Sequence, residues 1–287
     1  RGAAASRKVV EPFLSIEVES TPTKTPVQEV KLADVVAFWR HPVRAYLQRA
    51  LRIRLSRDDA IDVPDREPIE LGWLENHDLL TPLLSPHQGE ETLEARKDAL
   101  RGSGVLPLGG SGDVLFQNMA GLAATMHGKA SEHFGWRADD LTPVDIDATL
   151  PAGRLVGRVP NCSDGPLVMF RYGNERGQDL LEAWLHLLAR RAQNPGAPSR
   201  AVIVFGKLEA AGAQKVDTIG LELEDDEGLL DSLVQLRNIG LLHPLPFFPK
   251  SSLQLAKALT HPKNGLPADW RDANRLLRDP FDDDAVL

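Results

Sequence analysis

The sequence predicts a mixed α/β fold of the α+β kind, with a helical part added on its N-terminal side. Three observations carry that prediction. Gly153 to Arg191 reads as a strand, a turn, a second strand and an amphipathic helix. Arg200 to Leu208 is a continuous apolar run of the kind buried inside a sheet, and Val216 to Leu223 alternates like a strand with one wet face. Between Lys31 and Phe134, by contrast, apolar residues recur at helical spacing.

Taken in order, residues 1–30 form an extended entry segment, with loose alternation at Phe13, Ile16 and Val18 and prolines at 12, 22 and 26. Residues 31–135 form a mainly helical part. Leu32, Val35, Val36 and Trp39 make one apolar face, Pro42 breaks that helix or opens the next, and Tyr46, Leu47 and Leu51 continue with a second face. Asp58 to Pro68 is an acidic loop, and helices are expected over Leu71–Leu84 and Glu90–Leu100. The glycine-rich Arg101–Asp113 lacks the Gly-Lys-Ser/Thr ending of a phosphate-binding loop. It reads as a connector whose Ser111 or Asp113 caps a helix over Val114–Phe134.

Residues 136–287 hold the α/β core with its C-terminal helices, and 31–287 reads as one composite domain. Val144 to Leu150 alternates apolar residues with Asp145 and Asp147, the pattern of a half-wet strand. Asn161-Cys-Ser-Asp-Gly165 has hairpin-turn chemistry. On the helix that follows, Leu180, Leu181, Trp184, Leu187 and Leu188 share a face. A helix over Asp225–Ile239, a proline-rich connector from Leu242, and helices over 252–259 and 268–278 complete the core. Phe281-Asp-Asp-Asp284 is an acidic tail.

Composition narrows the function. A net charge of −8 opposes a protein that wraps nucleic acid with its whole surface, yet permits a local basic strip. The lone Cys162 rules out an internal disulfide and a cysteine-rich metal or cluster site, and it fits a cytoplasmic setting. No apolar run approaches the ~20 residues of a membrane helix. The opening Arg1-Gly-Ala-Ala-Ala, without methionine, is what a piece of a longer chain would show. His127 and His133 lack the spacing of a two-histidine metal pair and read as surface or packing residues.

Strand, turn, strand and helix is also the layout of a class of Mg²⁺-dependent nucleases. That chemistry places a carboxylate at the end of the first strand, and a second carboxylate followed two residues on by a lysine on the next. Here those three positions hold Pro160, Met169 and Arg171. Neither Pro160 nor Met169 offers a hard oxygen ligand, and Arg171 cannot act as a base. No catalytic residue, metal or cofactor is therefore expected. Asp164 could be offered as a displaced ligand, together with Asp145 and Asp147, but its place before Gly165 is already explained by turn geometry. From Trp39 to Arg57 there are six arginines and no acid. The strip suits phosphate contact, although on spacing alone the solvated side of two helices is the somewhat better reading, exposed arginines being common.

Three stretches carry a resemblance: Phe38-Trp-Arg-His-Pro-Val-Arg-Ala-Tyr-Leu-Gln48 with Asp62-Val-Pro-Asp-Arg-Glu-Pro68; Gly104-Val-Leu-Pro-Leu-Gly109; and the Gly157 region followed by the Gln178 helix and Pro244-Leu-Pro-Phe-Phe-Pro249. In order and spacing the chain resembles the C-terminal region of the RecC family, the gamma subunit of exodeoxyribonuclease V. The resemblance implies a restriction-endonuclease-like domain without an active site. It also implies a place beside the beta and alpha subunits, where duplex DNA is split, and a share in guiding the separated strands. Related nucleases often carry Cys-Pro where this chain has His41-Pro42, some of them for an iron–sulfur cluster, and the histidine argues against one here. The N-terminal helicase-like part is absent, so recognition of the Chi sequence is not expected of this chain. The expected DNA contacts are Arg40, Arg44, Arg49 and Arg52, with no small-molecule substrate and no membrane.

Overall fold

The structure is a computed structural model that describes residues 29–50, 52, 73–84, 92–134, 141–162, 165–209, 212–223 and 228–260. Arg54, Arg57, Asp164, the 58–68 loop, the 268–278 helix and the acidic tail fall outside them. Among the described residues the fold is mixed α/β, with eight helices and two three-stranded sheets.

The first sheet is built from β1 (Glu29–Lys31), β2 (Val144–Leu150) and β3 (Gly153–Val159), in the order β1-β3-β2. β2 and β3 form an antiparallel hairpin closed by the two residues Pro151 and Ala152, since Leu150 pairs with Gly153. β1 joins the other edge of β3 in parallel. The second sheet has the order β4-β5-β6, from β4 (Leu167–Tyr172), β5 (Arg200–Leu208) and β6 (Gln214–Glu222). β4 and β5 run parallel, connected by the crossover helix α6 (Gly177–Gln193), and β6 returns antiparallel.

This corrects the predicted hairpin between the strands on either side of Asn161–Gly165. The chain does reverse there, through a single bridge between Cys162 and Leu167 and a bond from the Val168 amide to the Asn161 carbonyl. The strands it joins nevertheless belong to different sheets. Turn residues specify a local reversal, whereas strand partners are chosen by the burial of whole faces.

That burial explains the apolar runs of β4 and β5. Met169, Ile203 and Phe205 face a core shared with α1 (Leu32–Arg40), α6 and α7 (Leu229–Gly240). Their neighbours Val168, Phe170, Val202 and Val204 face a second core with α3 (Trp73–Leu84) and α5 (Gly109–Phe134). Covered on both faces, the strand pair is apolar over Leu167–Phe170 and Ala201–Gly206, and its polar residues lie towards the strand ends.

The helices follow their sequence signals with corrections at three starts, one of them α7, which opens at Leu229 after Gly228 and not at the predicted Asp225. α5 begins at Gly109, so Ser111 and Asp113 lie inside it and do not cap it. Asp113 instead takes Lys97 and Arg101, each at 2.6 Å, which ties α5 to α4 (Leu93–Gly102). α8 (Pro249–Thr260) starts three residues before the predicted Ser252, since a proline fits the first helical position, where no amide bond is lost. At α4 the Thr92 side chain accepts the Ala95 amide at 3.2 Å, an N-cap.

Pro42 separates α1 from α2 (Pro42–Ala50). α1 is held in the first core by Leu32, Val35, Phe38 and Trp39, each 5% exposed or less. It crosses β3 at Gly157, where a β-carbon would come within 2.7 Å of the Leu32 β-carbon. At the other end of α1, Trp39 packs edge-on against Phe38 and against Phe247 of the proline-rich connector. α1 and α6 are thereby fixed side by side, and the polar flank between them is the place where chemistry would sit.

Candidate functional site

Of the three positions considered for metal chemistry, one is exposed, one is buried and one is engaged in ion pairs. Pro160 follows β3 on the surface. Met169 lies in the first core at 3% exposure. Arg171 leans across from β4 onto α6, donating Nη2 to Glu182 at 2.8 Å, Nε to Asp179 at 3.3 Å and Nη1 to the Phe170 carbonyl at 3.0 Å. Arg40, at the end of α1, reaches the same two acids, with Nη1 2.5 Å from Glu182 and Nη2 4.0 Å from Asp179.

Two arginines from distant parts of the chain thus clamp two acids on one face of α6. The arrangement has a local cause. Asp179, Glu182 and His186 fall at spacings of three and four, so they line up along the helix. Burial pushes the Asp179 carboxyl above its ordinary range, while Arg171 and Arg40 pull the other way. His186 is 7% exposed and burial depresses it to about 4, with Glu182 opposing and Arg171 assisting. At neutral pH its ring is uncharged.

The acids on β2 are occupied as well. Asp145 meets Arg158 at 2.7 Å and Asp147 meets Arg154 at 2.6 and 2.7 Å, each pair across the β2–β3 ladder. The arginine hydrogen bonds hold both carboxyls below their usual range. Among the described residues no group of three or more histidine, cysteine or acidic side chains is arranged to hold a metal ion. Cys162 is fully buried, its thiol pushed up to about 11 by desolvation, so it is poorly reactive. His127 packs its ring 4.8 Å from Phe170 and is a core-facing residue of α5.

The predicted phosphate contacts divide. Arg40 turns inward to the acids of α6, whereas Arg44 and Arg49 on α2, and Arg52 just beyond it, are exposed. Among the described residues none of these three makes an ion pair. Beside them a groove of about 1190 Å³ follows α1, lined also by Lys31, Gly157 and Arg158 on one side and Arg237 on the other.

The sequence family described as the RecC C-terminal domain matches residues 27–260. The chain belongs to this family. It is 30% identical over 241 residues to the RecBCD enzyme subunit RecC of Mycolicibacterium smegmatis, covering 83% of this chain and 22% of that protein. The corresponding subunit of Escherichia coli is 25% identical over 183 residues, covering 64% of this chain and 16% of that one. That of Mycobacterium tuberculosis is 28% identical over 269 residues, covering 91% and 23%. The chain therefore spans about a fifth of the length of the curated relatives it matches.

Within this RecC C-terminal domain, sequence reasoning missed the acid stripe of α6 and the inward turn of Arg40. The stripe was visible as Asp179, Glu182 and His186 on the helix face beside the leucines. Its partners were not, because Arg40 lies 142 residues from Glu182. Arg237 escaped as well. It reads as a charge at a helix C-terminus, but its Nε is buried in the wall of the groove.

Proposed function

We propose that this chain is a non-catalytic domain of a RecBCD-type helicase–nuclease complex acting in recombinational DNA double-strand-break repair. On this reading it is a restriction-endonuclease-like core that has lost its active site, folded as one composite domain from residue 31. It serves cytoplasmic assembly with the beta and alpha subunits of exodeoxyribonuclease V and guides separated DNA strands at the fork.

The observation that carries the non-catalytic part is the state of Arg171. Its guanidinium is locked by Asp179 and Glu182, so the charged corner next to Met169 is filled by an internal cation. Such a corner has no open carboxylate for Mg²⁺ and no base to activate water. The DNA-contact part is supported by the exposed Arg44, Arg49 and Arg52 on an acid-free stretch. Arg40 belongs to the same strip, but most of its charge is spent on Glu182.

Charge reversal at Arg44, Arg49 and Arg52 in the reconstituted complex tests the DNA part. Binding of forked DNA should weaken, and the slope of log affinity against log salt should fall by roughly one for each arginine that neutralises a phosphate. An unchanged slope refutes it. A divalent-metal titration with a sensitive cleavage assay tests the non-catalytic part: cleavage abolished by substituting Asp145 and Asp147 would establish a nuclease with displaced acids instead.

A pure assembly module is the second reading, favoured by the net charge of −8 and by the exposed Leu236, Leu242 and Phe248. Absence of any crosslink to DNA within the complex selects it.

A further inference from the structure

The groove along α1 has a lining that asks for an acidic occupant. Of its basic side chains, Arg40 is taken by Glu182 and Arg158 by Asp145. Lys31, Arg44 and Arg49 make no ion pair among the described residues, and Arg237 is half-buried in the wall. Two nitrogen atoms in the lining, His186 Nδ1 and Arg237 Nε, are buried without a hydrogen-bond partner among the described residues. Buried polar atoms are rarely left so, because an unmet donor loses its water without a replacement. One exposed acid, Asp34, also lines the groove and acts on Arg237, leaving Lys31, Arg44 and Arg49 as the unopposed charges; between them the walls are apolar, with Ala33, Val36, Ala37 and Leu241. Positive groups around an apolar strip, with the unmet Arg237 Nε–H in the wall, match an extended segment carrying carboxylates about one large apolar side chain.

The chain itself contains such a segment. Asp279-Pro-Phe-Asp-Asp-Asp284 places four carboxylates around Phe281. It lies outside the described residues and past residue 260, where the family match ends. We propose that Asp279–Asp284 docks into the α1 groove, with its aspartates on Lys31, Arg44 and Arg49 and Phe281 on the apolar wall, and so masks the basic edge of the domain.

Reach and affinity are both adequate. α8 ends at Thr260 and packs against α6, the helix that supplies Glu182 and His186 to the groove. Eighteen residues separate Thr260 from Asp279, enough to span about 40 Å with the helix expected over 268–278 and the rest extended. A tethered segment acts at an effective concentration in the millimolar range, so individually weak exposed ion pairs suffice together. A nucleic-acid strand would compete for the same arginines, but docking does not depend on that reading.

The test uses the full 287-residue chain. Carbodiimide treatment, which joins an amine to a carboxylate as an amide with loss of water, should link Lys31 to Asp282–Asp284 within one molecule. Amide exchange over residues 33–49 should accelerate about tenfold when the four aspartates become asparagine. Arg44→Glu with Arg49→Glu should abolish the crosslink, and Asp282→Lys with Asp283→Lys in that background should restore slow exchange. No crosslink together with unchanged exchange overturns the proposal. So does a crosslink found only between two copies and rising with protein concentration, and so does failure of the reversed pair to restore protection. Loss of DNA binding in the arginine variants alone touches the preceding proposal and leaves the crosslink result standing by itself.

Discussion

Replacing Arg171 by leucine should weaken the fold in a way that depends on pH. The guanidinium is about a quarter exposed, while the Asp179 and Glu182 side chains it binds are 6% and 13% exposed. Removing one partner of a buried pair typically costs about 3–5 kcal/mol. Arg40 remains beside both acids and the site is not fully enclosed, so the cost falls at or below the bottom of that range, about 2–3 kcal/mol. For a chain of this size that corresponds to a fall in Tm of roughly 5–10 °C.

The pH dependence follows from Asp179. Its carboxyl titrates above the ordinary range in the fold because burial outweighs the arginines. A raised acid favours the protonated folded state, so its contribution is complete at low pH. It is lost as pH rises from the unfolded value near 4 through the raised folded value. Taking Arg171 away raises that folded value further. The deficit of Arg171→Leu should then be largest at pH 7, shrink towards pH 4, and be mostly relieved at pH 7 by Asp179→Asn in the same chain. Thermal and urea unfolding of the four proteins of this cycle across pH 4–7 would measure it. A variant as stable as the parent at pH 7, or a deficit that grows on acidification, would show that the clamp contributes no stability.

Three further outcomes are expected. His186→Gln should flatten the acid side of the stability profile: burial holds His186 near 4, below its unfolded 6.5, so the parent loses stability as pH falls through that interval. Histidine-resolved NMR titration would read the same depression directly. Gly157→Val should cost about 1–3 kcal/mol in urea unfolding, since the added carbons collide with Leu32 at the β3–α1 crossing. Cys162 should stay silent to a thiol reagent in the native state and react fully in denaturant, in keeping with its burial and a thiol raised to about 11; fast native labelling would contradict the described packing.

The elements were legible in the sequence because their signals are local. The leucine face of α6, the apolar run of β5 and the break at Pro42 each fall within one or two turns of chain. What escaped was partnership over distance. Asp164-Gly165 announced a hairpin, yet β3 found its antiparallel partner in β2, and β4 went to a second sheet. Turn chemistry is indifferent to that choice; the two-sided burial of β4 and β5 makes it. Arg40 likewise looked like one more member of an exposed strip until the fold set α1 beside α6 and gave it Glu182. Pro160, Met169 and Arg171 were picked out by residue type alone, and the acids that hold Arg171 follow it by 8 residues and more, across a loop and into a helix.

The placement of β4 between two cores has a consequence for what this domain could become. Met169 is one of the side chains that seal the first core, under α6. A carboxylate installed there would have to ionise among Leu185, Ile203 and Phe205, with its neighbouring positions committed to the opposite core. A carboxylate at this position would therefore need Met169, its packing partners and the Arg171 clamp to change together. The packing is entrenched: this stretch of β4 tolerates exchange between apolar side chains of similar volume far better than the gain of a single charge.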